Sequence, residues 1–254
     1  MAGRTAAAMA PLRAQAEALA GWFGSLDPPD FSAPSVLPDW DVRMLLGHLV
    51  LVVEGCTRAL GRPTDEPAAP VAEYVRRYRR DVALIATATH ETTADRPPAE
   101  LLVAFEAAVT ALPDDPPSRT VVGGRGPIAA LDWITTRTIE LVVHTDDLGR
   151  SLPASPPPAD RGAVAQATRT MAEIFAAQVP GRSVELRVPP FVAVQAVPGP
   201  RHTRGTPPSV VETDPMTWLR VATGRSGFDA EVVAGRITAS GERADLGAYL
   251  PVLS

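Results

Sequence analysis

The sequence predicts two domains in series: an all-α four-helix bundle over residues 1–150 and an α+β domain over residues 159–254. Three observations carry this division. Apolar residues recur at helical spacing through the first half, in long segments separated by prolines. The stretch GRSLPASPPPAD, from Gly149 to Asp160, sets four prolines among small residues and reads as a stiff interdomain linker. Beyond it the pattern switches to short alternating runs with turn residues between them, the grammar of strands. A chain of 254 residues also exceeds the commonest single-domain size.

In the first domain, Met9, Leu12, Ala16, Leu19 and Trp22 predict a helix from about Thr5 to Phe23. Pro28, Pro29, Pro34 and Pro38 hold the next segment extended. Asp39 is placed to cap a second helix, Trp40 to Leu60, which carries His48 at its middle and ends at Gly61 and Pro63. A third helix is expected from Val71 to about His90. Its Arg76, Arg77, Arg79 and Arg80 suggest either a polyanion site or a solvated basic face, and the interleaved Tyr74, Val75, Tyr78 and Val82 favour the second. A fourth, Ala99 to Leu112, follows Pro97 and Pro98 and stops at Pro113. In SRTVVGGRGPIAA the glycine spacing matches neither a P-loop nor a dinucleotide fingerprint, so the segment reads as a turn, with Pro127 in the first turn of the next helix. That next helix spans Leu131 to Leu148.

The second domain opens with a helix from Arg161 to Gln178, then the strands SVELRV (183–188) and FVAVQAV (191–197), read as antiparallel. After the turn-rich PGPRHTRGTPP come a strand SVVET, a helix from Asp214 to Thr223 with Asp214 as cap and Pro215 at its first position, and a strand RITAS.

Composition narrows the function. With 45% hydrophobic and 21% charged residues the chain is an ordinary globular protein, and a formal charge of -5 argues against a nucleic-acid partner. One cysteine, Cys56, excludes an intrachain disulfide and fits a reducing compartment. No apolar run reaches the ~18 residues needed to cross a bilayer. The start, MAGRTAAAMAPLRAQAEALAGW, reads as an amphipathic helix rather than a signal peptide, so the expected location is the cytoplasm, away from membranes.

The residues that can do chemistry gather on the central helix. At about 100° per residue, Trp133, Arg137, Glu140, His144 and Asp147 share a narrow sector, opposite Leu131, Ile134, Thr138, Leu141, Val142 and Leu148. Glu140 and His144, one turn apart, point the same way as two ligands of one metal would. His48, beside the apolar stripe of the second helix, is the best third donor. The plainer alternatives are a hydrogen-bonded core histidine and a solvated Glu–His pair. Cys56, two turns beyond His48, reads as a small buried thiol, and His90, near a helix end, as solvent-facing.

Two segments resemble a known family. LPDWDVRMLLGHL is similar to the start of the metal-bearing helix of the mycothiol-dependent maleylpyruvate isomerase N-terminal family, a DinB-like four-helix bundle of actinobacteria, and RTIELVVHTDDLGRS resembles its second metal segment. VPPFVAVQAVPGPRHTRGTPP, VVETDPMTWLRVATGR and GRITASGERADLGAYLP resemble the sterol-carrier-like domain that accompanies this bundle. The resemblance implies that His48, Glu140 and His144 bind zinc or another divalent metal and leave a position open for water or for the thiolate of mycothiol. Asp147 would then orient an imidazole, and Arg137 would hold an anionic substrate or pair with Glu140. Arg225, and the cluster Arg201, His202 and Arg204, are candidates for carboxylates or for the polar thiol cofactor, the pattern of the cluster favouring a surface turn. The implied function is a mycothiol-dependent isomerase or thiol S-transferase acting on a small electrophile, as a monomer or homodimer. A thiol-independent zinc hydrolase and a non-enzymatic carrier of apolar ligands are the alternatives.

Overall fold

The computed structural model describes residues 2–199 and 209–253. Helix α1, Ala2–Phe23, buries Met9, Leu12, Ala16, Leu19 and Trp22, the stripe the spacing predicts, together with Phe23. Helix α2 is Val42–Leu60. Its cap is Asp41, whose carboxylate accepts from the Met44 N–H at 2.7 Å, and not Asp39, which sits at φ 65° in the turn before it. Two residues of offset follow from this: a cap needs extended backbone, and Asp41 has it.

The expected third helix is two helices, α3 (Val71–Val75) and α4 (Tyr78–Thr93). The break, at residues 76–77, lies within the 70–79 segment that belongs to the second compact unit: residues 1–69 and 80–163 form the first unit, 70–79 and 164–254 the second. Tyr74 and Val75 are buried within the second unit, where the Gln178 side chain donates to Ala72 O at 3.0 Å. Tertiary burial of that short turn overrides helical continuity.

Helix α5, Pro98–Thr110, precedes a hairpin where the sequence pattern predicts a simple turn. Strands β1 (Thr120–Gly123) and β2 (Gly126–Ala129) pair antiparallel around Gly124 and Arg125, with Gly126 at φ 105° supplying the reversal. Pro127 therefore lies in β2, and helix α6, Ala130–Ser151, starts after it. Val121 and Ile128, both fully buried, explain why so short a ladder holds. Helices α1, α2, α5 and α6 pack on one another as the four-helix bundle.

The proline-rich stretch expected to be a linker is tied down in the first unit. Gln15 of α1, fully buried, donates to Pro158 O at 3.1 Å and accepts from Asp160 N–H at 2.8 Å, while Trp22 Nε1 donates to Ser155 O at 2.9 Å.

Helix α7, Arg161–Gln178, has the predicted bounds, and from residue 164 onward it belongs to the second unit, which also holds a four-stranded sheet. Its strands are β3 (Val184–Val188), β4 (Val192–Ala196), β5 (Ser209–Thr213) and β6 (Ile237–Ser240), in the order β4-β3-β5-β6. The sheet is mixed rather than antiparallel throughout, because β5 enters on the free edge of β3 and runs parallel to it. Helix α8, Pro215–Ala222, has Asp214 as cap, accepting from the Met216 and Thr217 N–H groups, and a short α9, Phe228–Val233, adds an element that the sequence pattern does not announce. Trp218 of α8 packs edge-on against Phe175 of α7, ring centroids 5.6 Å apart, at the centre of this core. Among the described residues no helix is long and apolar enough to cross a membrane.

Candidate metal centre

Helix α6 is buried on both of the faces that its sequence distinguishes. Its polar sector places Trp133, Arg137, His144 and Asp147 inside the protein, and only Glu140 of that set keeps appreciable exposure, at 18% of its side chain. Burying so many polar groups on one helix is costly unless they satisfy one another. Arg137 and His144 converge on Glu140, joined there by His48 of α2. His144 Nε2 lies 3.5 Å from Glu140 Oε2, His48 Nε2 lies 3.8 Å from the same oxygen, and Arg137 Nη2 lies 3.6 Å from Oε1. The two imidazoles meet edge to face, 4.7 Å between centroids at 77°. One ligand atom from each of His48, Glu140 and His144 falls within a mutual 4.8 Å.

Several neighbours hold these groups. His144 Nδ1 donates to Asp147 Oδ2 at 3.0 Å, and the fully buried Asp147 also accepts from Arg150 Nη2 at 2.6 Å through Oδ1. The Arg137 guanidinium stacks over the Trp133 ring at 4.4 Å. On α2, the Trp40 ring packs edge-on against His48 at 5.5 Å. Thr89 of α4 reaches His48 Nδ1 at 3.4 Å. That approach depends on Gly47, where a Cβ would lie 2.3 Å from Thr93 Cγ2, so only glycine lets α4 come this close beside the histidine.

Charge follows from the same geometry. Burial pushes the His48 imidazole below its ordinary value, helped by the His144 and Arg137 charges and opposed by Glu140. For Glu140 burial raises the value, but its contacts to His144 and His48 and the Arg137 charge outweigh that and hold the carboxyl well below the usual range. At neutral pH the cluster thus sets an ionised Glu140 carboxylate against a neutral His48 imidazole. His144 donates through Nδ1 to Asp147, and its Nε2 stands 3.5 Å from Glu140 Oε2, too long for a good hydrogen bond. Tetrahedral donors ~2.1 Å from a zinc ion stand ~3.4 Å apart, and two imidazoles with one carboxylate are a donor set of catalytic zinc sites. The residues therefore fit a divalent cation.

Other residues singled out in the sequence fall elsewhere. Cys56 is buried, its thiol pushed up to about 12 by burial against the opposing Arg137 charge, and is no member of the donor group. Arg225 belongs to the second unit, where its guanidinium donates to Thr223 O at 3.2 Å. Arg201, His202 and Arg204 lie outside the described residues. Sequence reasoning missed Thr89, Trp40, Gly47 and Arg150. Arg150 carried a usable signal, three residues beyond Asp147 on the same helix face; the others are brought in by the fold alone.

Residues 12–149 match the family described as "Mycothiol maleylpyruvate isomerase N-terminal domain", and residues 160–252 match "Bacterial SCP ortholog". Among solved structures, the chain is similar to the mycothiol-dependent maleylpyruvate isomerase at 18% identity and a TM-score of 0.57, and to a histidine-to-alanine mutant of that enzyme at 18% and 0.58. In both comparisons 92% of this chain and 91% of the other are covered. This likeness is one of fold: a helical N-terminal region followed by a domain of sheet and helices. No curated protein matches the sequence. With a bundle that matches over more than half the chain's length, followed by an SCP-like C-terminal region, the chain belongs to the mycothiol maleylpyruvate isomerase N-terminal domain family, and so has an isomerase as its homologue.

Proposed function

We propose that this chain is a zinc-dependent, mycothiol-using enzyme in which a metal-activated thiolate attacks a small electrophile, giving isomerisation by addition and elimination or a thiol conjugate. The observation that carries the reading is the convergence of His48, Glu140 and His144 ligand atoms within 4.8 Å in a member of this family. A divalent cation bound there lowers the pKa of a coordinated thiol, so that the thiolate is available at neutral pH.

The protein's own residues do the rest. His48, Glu140 and His144 hold the cation, and three protein ligands leave a position for an exogenous donor. Asp147 keeps the His144 proton on Nδ1, and Arg150 keeps Asp147 in place. Arg137, braced by Trp133 and Glu140, offers a cation to an anionic group of the substrate. The single cysteine, which can form no disulfide within the chain, supports a reducing, cytoplasmic setting.

The test is metal analysis of the purified protein followed by calorimetry with mycothiol on wild type and His144→Ala. Stoichiometric zinc, and thiol binding that the variant loses, is the expected result. Zinc without thiol binding would point instead to a hydrolase, and absence of metal to a carrier.

A further inference from the structure

Thr89 sits on α4, fully buried, far in sequence from any residue of the donor group. Its hydroxyl has a single proton, and that proton is donated to Ile85 O of the preceding turn at 2.9 Å. Toward His48 Nδ1, 3.4 Å away, the oxygen can therefore only accept. A ring nitrogen within hydrogen-bond reach of an acceptor carries the proton, and a neutral imidazole protonated at Nδ1 is bare at Nε2. Nε2 faces Glu140 at 3.8 Å, outside hydrogen-bond reach of that carboxylate, so the Thr89 contact is the one that decides. A threonine bonded back to its own helix is ordinary. One whose spent hydroxyl also abuts a buried ring nitrogen sets that ring's tautomer.

We propose that Thr89 is a positioning residue: its hydroxyl oxygen accepts the Nδ1 proton of His48 and so fixes the tautomer that presents Nε2 to the donor group. The consequence for metal affinity rests on the reading of His48, Glu140 and His144 as a cation site; the tautomer itself does not. Thr89→Val keeps the shape and the β-branch but removes the acceptor, and Thr89→Ser keeps the acceptor.

The experiment is a ¹⁵N–¹H correlation of metal-free, ¹⁵N-histidine-labelled protein at neutral pH, with the His48 signals assigned by their loss in His48→Gln, paired with zinc titration of each form. Wild type and Thr89→Ser should show Nδ1–H at His48. Thr89→Val should populate Nε2–H and bind zinc ~10–100-fold more weakly, the usual effect of losing a partner behind a ligand. A folded Thr89→Val that keeps both the Nδ1–H tautomer and wild-type affinity overturns the proposal. Should that variant fail to fold, the wild type alone decides, since an Nε2–H His48 is equally fatal. A tautomer that shifts in Thr89→Val while no form takes up zinc upholds the role of Thr89 and sinks the metal reading instead.

Discussion

The two imidazoles of the centre are held in opposite ways. His144 is supported from its own helix, by Asp147 three residues on and by Arg150 three residues beyond that. His48 is supported from outside, by the Trp40 ring before α2 and by Thr89 forty-one positions along the chain, on a helix that Gly47 admits. One arm is a charged, local relay; the other is neutral and tertiary. The contrast teaches that the first arm forms wherever α6 forms, whereas the second exists only when α2 and α4 are packed.

The largest effect should come from removing either ring. His48→Ala and His144→Ala are each expected to lower zinc affinity by more than about 100-fold while leaving far-UV helicity near wild type, because the apolar stripes and not the centre stabilise the bundle. Collapse of helicity in either variant would show that the site and the fold are not separable. Next in size is Asp147→Asn, which keeps the shape but removes the charge that both His144 and Arg150 use. A loss of ~10–100-fold in zinc affinity is expected. If Asp147→Asn binds zinc as wild type does, the local relay is structural only.

The same contrast explains what the sequence disclosed. Glu140, His144 and Asp147 stand at spacings of four and three on one helix, and helical periodicity alone aligns them. His48 could be paired with them because it sits mid-helix beside an apolar stripe, a place where imidazole needs a partner. Thr89 carries no such mark, since no periodic pattern links α4 to α2. The fold divides along the same line. The long helices were legible from 3.6-residue spacing, as α7 was to the residue, while the break between α3 and α4, the β1–β2 hairpin and the parallel entry of β5 each depend on pairing or burial between distant residues. A short strand such as Thr120–Gly123 presents too few residues to display a period.

Gly47→Ala tests the tertiary arm without touching a ligand. A Cβ there meets Thr93 Cγ2 at 2.3 Å, and Thr93 cannot swing aside freely, because it is buried and its hydroxyl donates to Thr89 O at 2.9 Å. Displacement of α4 is expected to cost about 1–3 kcal/mol in denaturant unfolding, and to weaken zinc binding by moving Thr89 off His48. Wild-type stability in Gly47→Ala would mean that α4 yields without strain and that the tertiary arm is softer than its packing indicates.

The smallest effect separates the arms by pH. In the metal-free protein burial holds His48 below its ordinary value of 6.5, so the unfolded chain takes up its proton first as pH falls. The stability that depends on neutral His48 is therefore complete above 6.5 and is lost as pH falls from there toward the folded value. Glu140 acts lower down: its folded value is depressed, so its contribution is complete above the ordinary 4.5 and disappears as pH falls through the folded value. Between about pH 7.5 and about pH 5.5 only the His48 contribution changes of these two, by up to ~1.4 kcal/mol for each tenfold difference in proton affinity between the folded and unfolded chain. Melting temperatures of metal-stripped wild type and His48→Gln at those two pH values should then differ, with the wild type falling by a few degrees more, since ~1 kcal/mol moves a chain of this size by about 2–4 °C. Equal falls in the two proteins would mean that His48 is not buried as a neutral ring, and the distinction between a charged local arm and a neutral tertiary one would fail with it.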